Sequence, residues 1–198
     1  MEAGRAAAVP LVVGTNLEEW KLFALMTQAA TDREALSDRV RLLDADPEVV
    51  IAAYEADHPG STIAELESAM LTDVVFRVPA SRFADAHVSH APVWQYRFDW
   101  RSPAMGGMLG AAHALEIPFV FDMVTDHRLH VMVGPEAPEE LARNMHEAWI
   151  SFARDGSPRF GSIDWPAISA EQRPVLCMGD GSSVHQDPHA ISRECWPG

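Results

Sequence analysis

Two separated segments carry residue types suited to acid–base chemistry: Gly14-Thr15-Asn16-Leu17-Glu18-Glu19-Trp20 and Gly110-Ala111-Ala112-His113-Ala114-Leu115-Glu116-Ile117-Pro118-Phe119-Val120-Phe121. A histidine can take the proton of a hydroxyl nucleophile, and a carboxylate can hold the imidazole in the productive tautomer and stabilise the imidazolium that forms. His113 fits the base and Glu19 the carboxylate. Taken alone, a histidine after a Gly-rich loop is more often structural. A glutamate just past a strand is more often a helix N-terminal residue favoured by the macrodipole, and Glu18 reads that way. A nucleophile is missing from the set: no Gly-x-Ser-x-Gly occurs, and Ser102, Ser182 and Ser183 lack the strand-turn-helix context that presents such a serine.

The elements that must position these residues follow from patterning. Val9-Pro10-Leu11-Val12-Val13 is a compact β-branched run ending at Gly14, and it reads as a buried parallel strand. Glu19 therefore falls beyond a strand's C-terminal end, where open α/β sheets hold their ligands. From Glu18 to His90 the pattern is mostly helical. Asp46 caps a helix that has Pro47 at its first position, and Ser61 caps the next. Ile63, Leu66, Met70, Val74 and Val75 form a core-facing stripe, and Pro79 restarts a helix through Phe83 and His87. Val93 to Phe98 reads as a second strand, Ser102 to Gly110 as a flexible loop, Glu139 to Asp155 as an amphipathic helix stopped by Gly156, and Arg173 to Gly179 as a last, edge strand. Three strands are too few for a covered α/β sheet, which typically has about five to six.

Composition sets outer bounds. A chain of 198 residues with 47% hydrophobic content can bury a sizeable core. Its formal net charge of −14 argues against a nucleic-acid partner, which requires a basic patch. No run approaches the ~18 apolar residues of a membrane span, and the segment Ala6 to Val13 is too short for a signal sequence, so a cytoplasmic protein without a membrane partner is expected. Cys177 and Cys195 read as free thiols. The pairs His87/His90, His127/His130 and His185/His189 have metal-like spacing but form no three-ligand set, so neither a metal nor another cofactor is expected.

The flanks of the two segments resemble the type-B carboxylesterases, the family that includes cholinesterases and para-nitrobenzyl esterases. Gly-x-x-His-x-x-Glu-[Leu/Ile]-Pro-Phe-Val-Phe around His113 is similar to the family's catalytic histidine segment. The acid of the family's Gly-x-Asn-x-[Asp/Glu]-Glu falls on Glu19 rather than Glu18, with Trp20 in place of the common following glycine. Thr72 to Ala80 matches an Asp-x-x-Phe-x-x-Pro-Ala segment, Trp94 to Trp100 the strand before the histidine loop, and Trp149 to Phe160 with Trp165-Pro166 the C-terminal helix and tail.

The resemblance implies the C-terminal part of an α/β-hydrolase fold, with an incomplete central sheet and covering helices, spanning 1–198 without an internal boundary. It implies a Ser-Glu-His triad whose serine lies on an N-terminal half outside this sequence, acting on a small carboxylic ester, with Phe23 lining the substrate pocket. It also implies a bacterial-type esterase, because Val78 stands where cholinesterases carry a disulfide cysteine whose partner falls near Cys177. Asp73 and Glu116 are expected in buried networks with Arg77 or Arg97. The alternative is a non-catalytic, esterase-like interaction module, for which an intact Glu19 and His113 would be unnecessary.

Overall fold

The computed structural model describes residues 8–169, 171–188 and 190–196. Among them, β1 (Leu11–Asn16), β2 (Val93–Phe98), β3 (Pro174–Met178) and β4 (Ser183–Gln186) form one sheet in that order. The first two pairings are parallel, with Gly14 opposite Tyr96 and Arg97 opposite Cys177, and β4 returns antiparallel to β3. Helices fill the connections: α1 (Lys21–Ala24), α2 (Arg33–Arg41), α3 (Pro47–Asp57), α4 (Ile63–Thr72), α5 (Val78–His87), α6 (Ile117–Val120), α7 (His130–Val133), α8 (Glu139–Asp155) and α9 (Ala190–Cys195).

Local chemistry explains the helix starts. Asp32 and Asp46 accept hydrogen bonds from Ala35 and Glu48 N–H, satisfying donors that the first helical turn leaves free. The third cap is Thr62, not Ser61. Its hydroxyl takes the Glu65 N–H while the Glu65 side chain returns to the Thr62 backbone, and this reciprocal box places α4 one residue later than expected. Between α4 and α5 the helix widens into a π-helical stretch, Asp73–Arg77. This extra residue in the turn changes the facing of the stripe: Leu66 and Met70 are buried, but Val75 is exposed while Asp73 and Arg77 turn inward.

Two further expectations are corrected. β1 does not stop at Gly14 but pairs through Asn16; the glycine marks no strand end but the close approach of Tyr96, whose ring and carbonyl occupy the space a Cβ there would need. The segment 173–179 is not an edge: β3 is buried along its length, and β4 lies outside it. Ser183-Val184-His185-Gln186 is too short and polar to announce itself as a strand, and pairing with β3 is what makes it one.

The side chains separate into clusters. Trp94, Phe98 and Leu176 of the sheet pack with Phe119 of α6 and Leu141 and Met145 of α8. A second cluster joins Leu36, Val50, Ile51, Tyr54, Leu66 and Met70 across α2 to α4, closed by Trp196.

Candidate active site

Glu19 stands three residues beyond β1, on the turn into α1. Its carboxylate is buried, with Oε1 accepting the Asn16 backbone N–H at 2.7 Å and Oε2 lying 2.8 Å from Nδ1 of His113. Burial pushes the Glu19 carboxyl above its ordinary range, while the hydrogen bonds from Asn16 and His113 pull the other way. With the carboxylate ionised, Nδ1 carries the proton and Nε2 is the nitrogen able to receive one. The His113 side chain is 43% exposed against 7% for Glu19. A buried carboxylate thus holds an imidazole that is itself partly open to solvent.

The two loops are laced by backbone contacts. His113 N–H donates to the Glu19 carbonyl at 3.3 Å, and Glu18 N–H to the Ala111 carbonyl at 3.0 Å. Asn16 joins them from below, its Nδ2 donating to the Ala112 carbonyl at 2.7 Å and to a Glu116 carboxylate oxygen at 2.6 Å. Glu116 is therefore half-buried and held by Asn16, not by the arginine expected from sequence; Arg97 pairs with Asp99 instead. The Asp73 expectation holds: Asp73 forms an ion pair with Arg77 and accepts from the Tyr54 hydroxyl, which in turn accepts from Trp196 Nε1. Arg77 then reaches the carbonyls of Asn16 and Leu17 at 3.2 and 2.9 Å, bracing the chain just ahead of Glu19.

An aromatic bed supports the imidazole. The rings of Phe23 and Phe76 lie 5.3 and 5.1 Å from His113, 5.9 Å from each other, and Trp20 packs on Phe23 at 5.1 Å. Trp20 has right-handed helical backbone angles, and its N–H donates to the Thr72 hydroxyl at 3.0 Å. The turn after Glu19 therefore has no need of a glycine at that position. On another side His113 borders an apolar concavity of about 450 Å³, lined among others by Leu22, Met26, Leu109, Leu115 and Met132.

What sequence reading missed are the parts played by Asn16 and Phe76, and the reach of Arg77 beyond Asp73. Each lies in a motif already singled out, but they act across 96, 37 and 61 positions respectively, in contacts that no local pattern encodes. Ser102, Ser182 and Ser183 are engaged elsewhere: their hydroxyls bond the Met132 carbonyl, the Gly179 carbonyl and His185. Among the described residues no cluster of three or more His, Cys, Asp or Glu side chains is arranged to hold a metal, and His189 lies outside those residues. Cys177 and Cys195 are free, and burial pushes the Cys177 thiol up to about 11.

The carboxylesterase family profile matches residues 1–196 of the chain. The chain belongs to the carboxylesterase family. The para-nitrobenzyl esterase of Bacillus subtilis is 34% identical over 195 residues, which cover 96% of this chain and 38% of that protein. The phenmedipham hydrolase of Pseudarthrobacter oxydans is 34% identical over 146 residues, covering 69% of this chain and 29% of that protein. A solved carboxylesterase of Geobacillus stearothermophilus superposes with a TM-score of 0.82 at 31% identity, over 98% of this chain and 42% of the other. The fold is thus that of an α/β-hydrolase, represented by its C-terminal part. The chain spans about two fifths of the length of the Bacillus subtilis para-nitrobenzyl esterase and of the Geobacillus stearothermophilus carboxylesterase. Among the described residues, no helix is long and apolar enough to cross a membrane.

Proposed function

We propose that this chain supplies the acid and base of a serine carboxylic-ester hydrolase, whose nucleophilic serine belongs to a polypeptide segment outside these 198 residues. The observation that carries the reading is the buried Glu19 carboxylate 2.8 Å from His113 Nδ1, with His113 at the border of an apolar concavity. His113 Nε2 takes the serine proton as Oγ attacks the ester carbonyl. The imidazolium, stabilised by Glu19, then protonates the departing alkoxide, leaving an acyl-enzyme. In the second half His113 takes a proton from water as its oxygen attacks the acyl carbon, then returns that proton to the departing serine Oγ, releasing the carboxylic acid and restoring both residues. Phe23 lines the substrate side of the imidazole, consistent with its ring contact to His113.

Residues 1–198 are on this reading one part of a single esterase domain, without an internal boundary, acting in the cytoplasm on a small ester. A non-catalytic interaction module would have no use for a buried carboxylate aimed at an imidazole, since burying that charge opposes stability unless it is paired. The test is direct. The isolated chain is expected to show no hydrolysis of short-chain aryl esters and no labelling by a serine-directed organophosphate. Stoichiometric labelling of the chain alone would overturn the assignment of the nucleophile to another segment.

A further inference from the structure

Glu18 is the one carboxylate of the acid-bearing turn to which the reaction above gives no part, and it is the most heavily engaged. One oxygen lies 2.8 Å from Lys21 Nζ; the other accepts from Ala111 N–H and from Arg101 Nε, each at 2.9 Å. Its own N–H closes the loop on the Ala111 carbonyl. Glu18 precedes Glu19 by one residue, and Ala111 precedes His113 by two. The pair Glu18–Ala111 therefore runs beside the pair Glu19–His113, joining the same two segments. The chain has made room for it: a Cβ at Gly110 would lie 2.3 Å from the Glu18 carboxylate and 2.9 Å from Lys21, and Gly110 has a φ of +55°. Against its burial, the hydrogen bonds from Lys21, Ala111 and Arg101 hold the Glu18 carboxyl below the ordinary range, so it is a carboxylate at neutral pH.

We infer that Glu18 is a positioning residue for the dyad: its carboxylate anchors Ala111, and through Ala111 and the glycine before it sets the imidazole of His113 against Glu19. Glu18 is not a helix N-terminal residue in the sense first expected, because its charge is directed across to the histidine loop. The inference rests on the catalytic reading for its functional meaning, but the geometry can be tested without turnover.

The test follows the imidazole Nδ1–H proton of His113 by NMR in this chain. In the parent this proton is expected as a low-field resonance in slow exchange, since it is held by a buried carboxylate. Glu18→Gln keeps an oxygen for Ala111 N–H and is expected to retain the resonance. Glu18→Ala and Gly110→Ala are expected to lose it, or to speed its exchange tenfold or more, with far-UV circular dichroism unchanged. A resonance with parental exchange in folded Glu18→Ala would overturn the inference, and so would one in Gly110→Ala should Glu18→Ala not fold. A catalytic assignment that failed for want of ester cleavage would leave this resonance pattern intact, so the two failures are distinguishable.

Discussion

At the scale of single residues, Glu18 and Glu19 are adjacent in sequence and driven in opposite directions. Burial raises Glu19, whereas Lys21, the Ala111 N–H and Arg101 lower Glu18 against its own burial. Neighbouring carboxylates with separated titrations have separate tasks. The sign for stability follows. A carboxyl raised on folding favours the folded state below its unfolded value, and that contribution is lost as pH rises through the folded value. Glu19→Gln is therefore expected to gain stability relative to the parent as pH increases from 4 to 7, read from thermal midpoints across that range; a difference that shrinks over the same interval would contradict it. Glu18 has the reverse dependence, since its contribution is present at neutral pH and is lost on acidification below the ordinary carboxylate range. In an ester-cleaving protein that contains this chain, Glu19→Gln is expected to lower kcat by about 10³ to 10⁴, because the imidazole loses its fixed tautomer.

At the scale of elements, the stretch Asp73–Arg77 links the helical layer to the site. Its π-helical turn delivers Phe76 to the face of His113 and Arg77 to the carbonyls that precede Glu19. Arg77 is buried, so removing its charge takes the ion-pair partner from Asp73 and a donor from the two carbonyls. Arg77→Met is expected to destabilise the chain by about 3 to 5 kcal/mol in chemical denaturation. A loss below about 1 kcal/mol would mean that the network is solvated and does not brace the acid turn. Thr62→Ala removes half of a capping box on an exposed turn and is expected to cost only about 1 kcal/mol, without affecting the site.

These elements also show what was legible in the sequence. β2, α3 and α8 announce themselves through β-branched and aromatic runs, an Asp-Pro start and a Gly stop. β4 does not, because its strand character comes from β3. Glu19 and His113 were legible because their flanks form extended motifs. The parts of Asn16 and Phe76, and the reach of Arg77 to the Asn16 and Leu17 carbonyls, were not, since they depend on how α4, α5 and the histidine loop meet in space. The Asp73 network was legible because a carboxylate among apolar neighbours needs a partner, with Arg77 or Arg97 in reach, whereas Glu116 was misassigned because its partner, Asn16, is 100 positions away.

At the scale of the whole molecule, β1 occupies one end of the described sheet and pairs on one side only, with β2. Leu25, Met26, Met105, Met108 and Val131 add exposed apolar surface. Open strand edges and exposed apolar groups favour association between chains. Sedimentation velocity of the isolated chain is therefore expected to show concentration-dependent self-association, and a monodisperse monomer would contradict that expectation. The Glu19–His113 pair, by contrast, is assembled wholly from residues of this chain, so its proposed role can be tested separately from the source of the nucleophile.

The claim that His113 is the base of an ester-cleaving site is tested most directly by a chimera. This chain is joined to the part of the Bacillus subtilis para-nitrobenzyl esterase that lies outside the match, and hydrolysis of a para-nitrobenzyl ester is followed with and without His113→Ala. The predicted result is hydrolysis by the parent chimera and a fall in kcat of about 10⁴-fold or more in the folded variant. A folded His113→Ala chimera that hydrolyses the ester at the parental rate would contradict the claim.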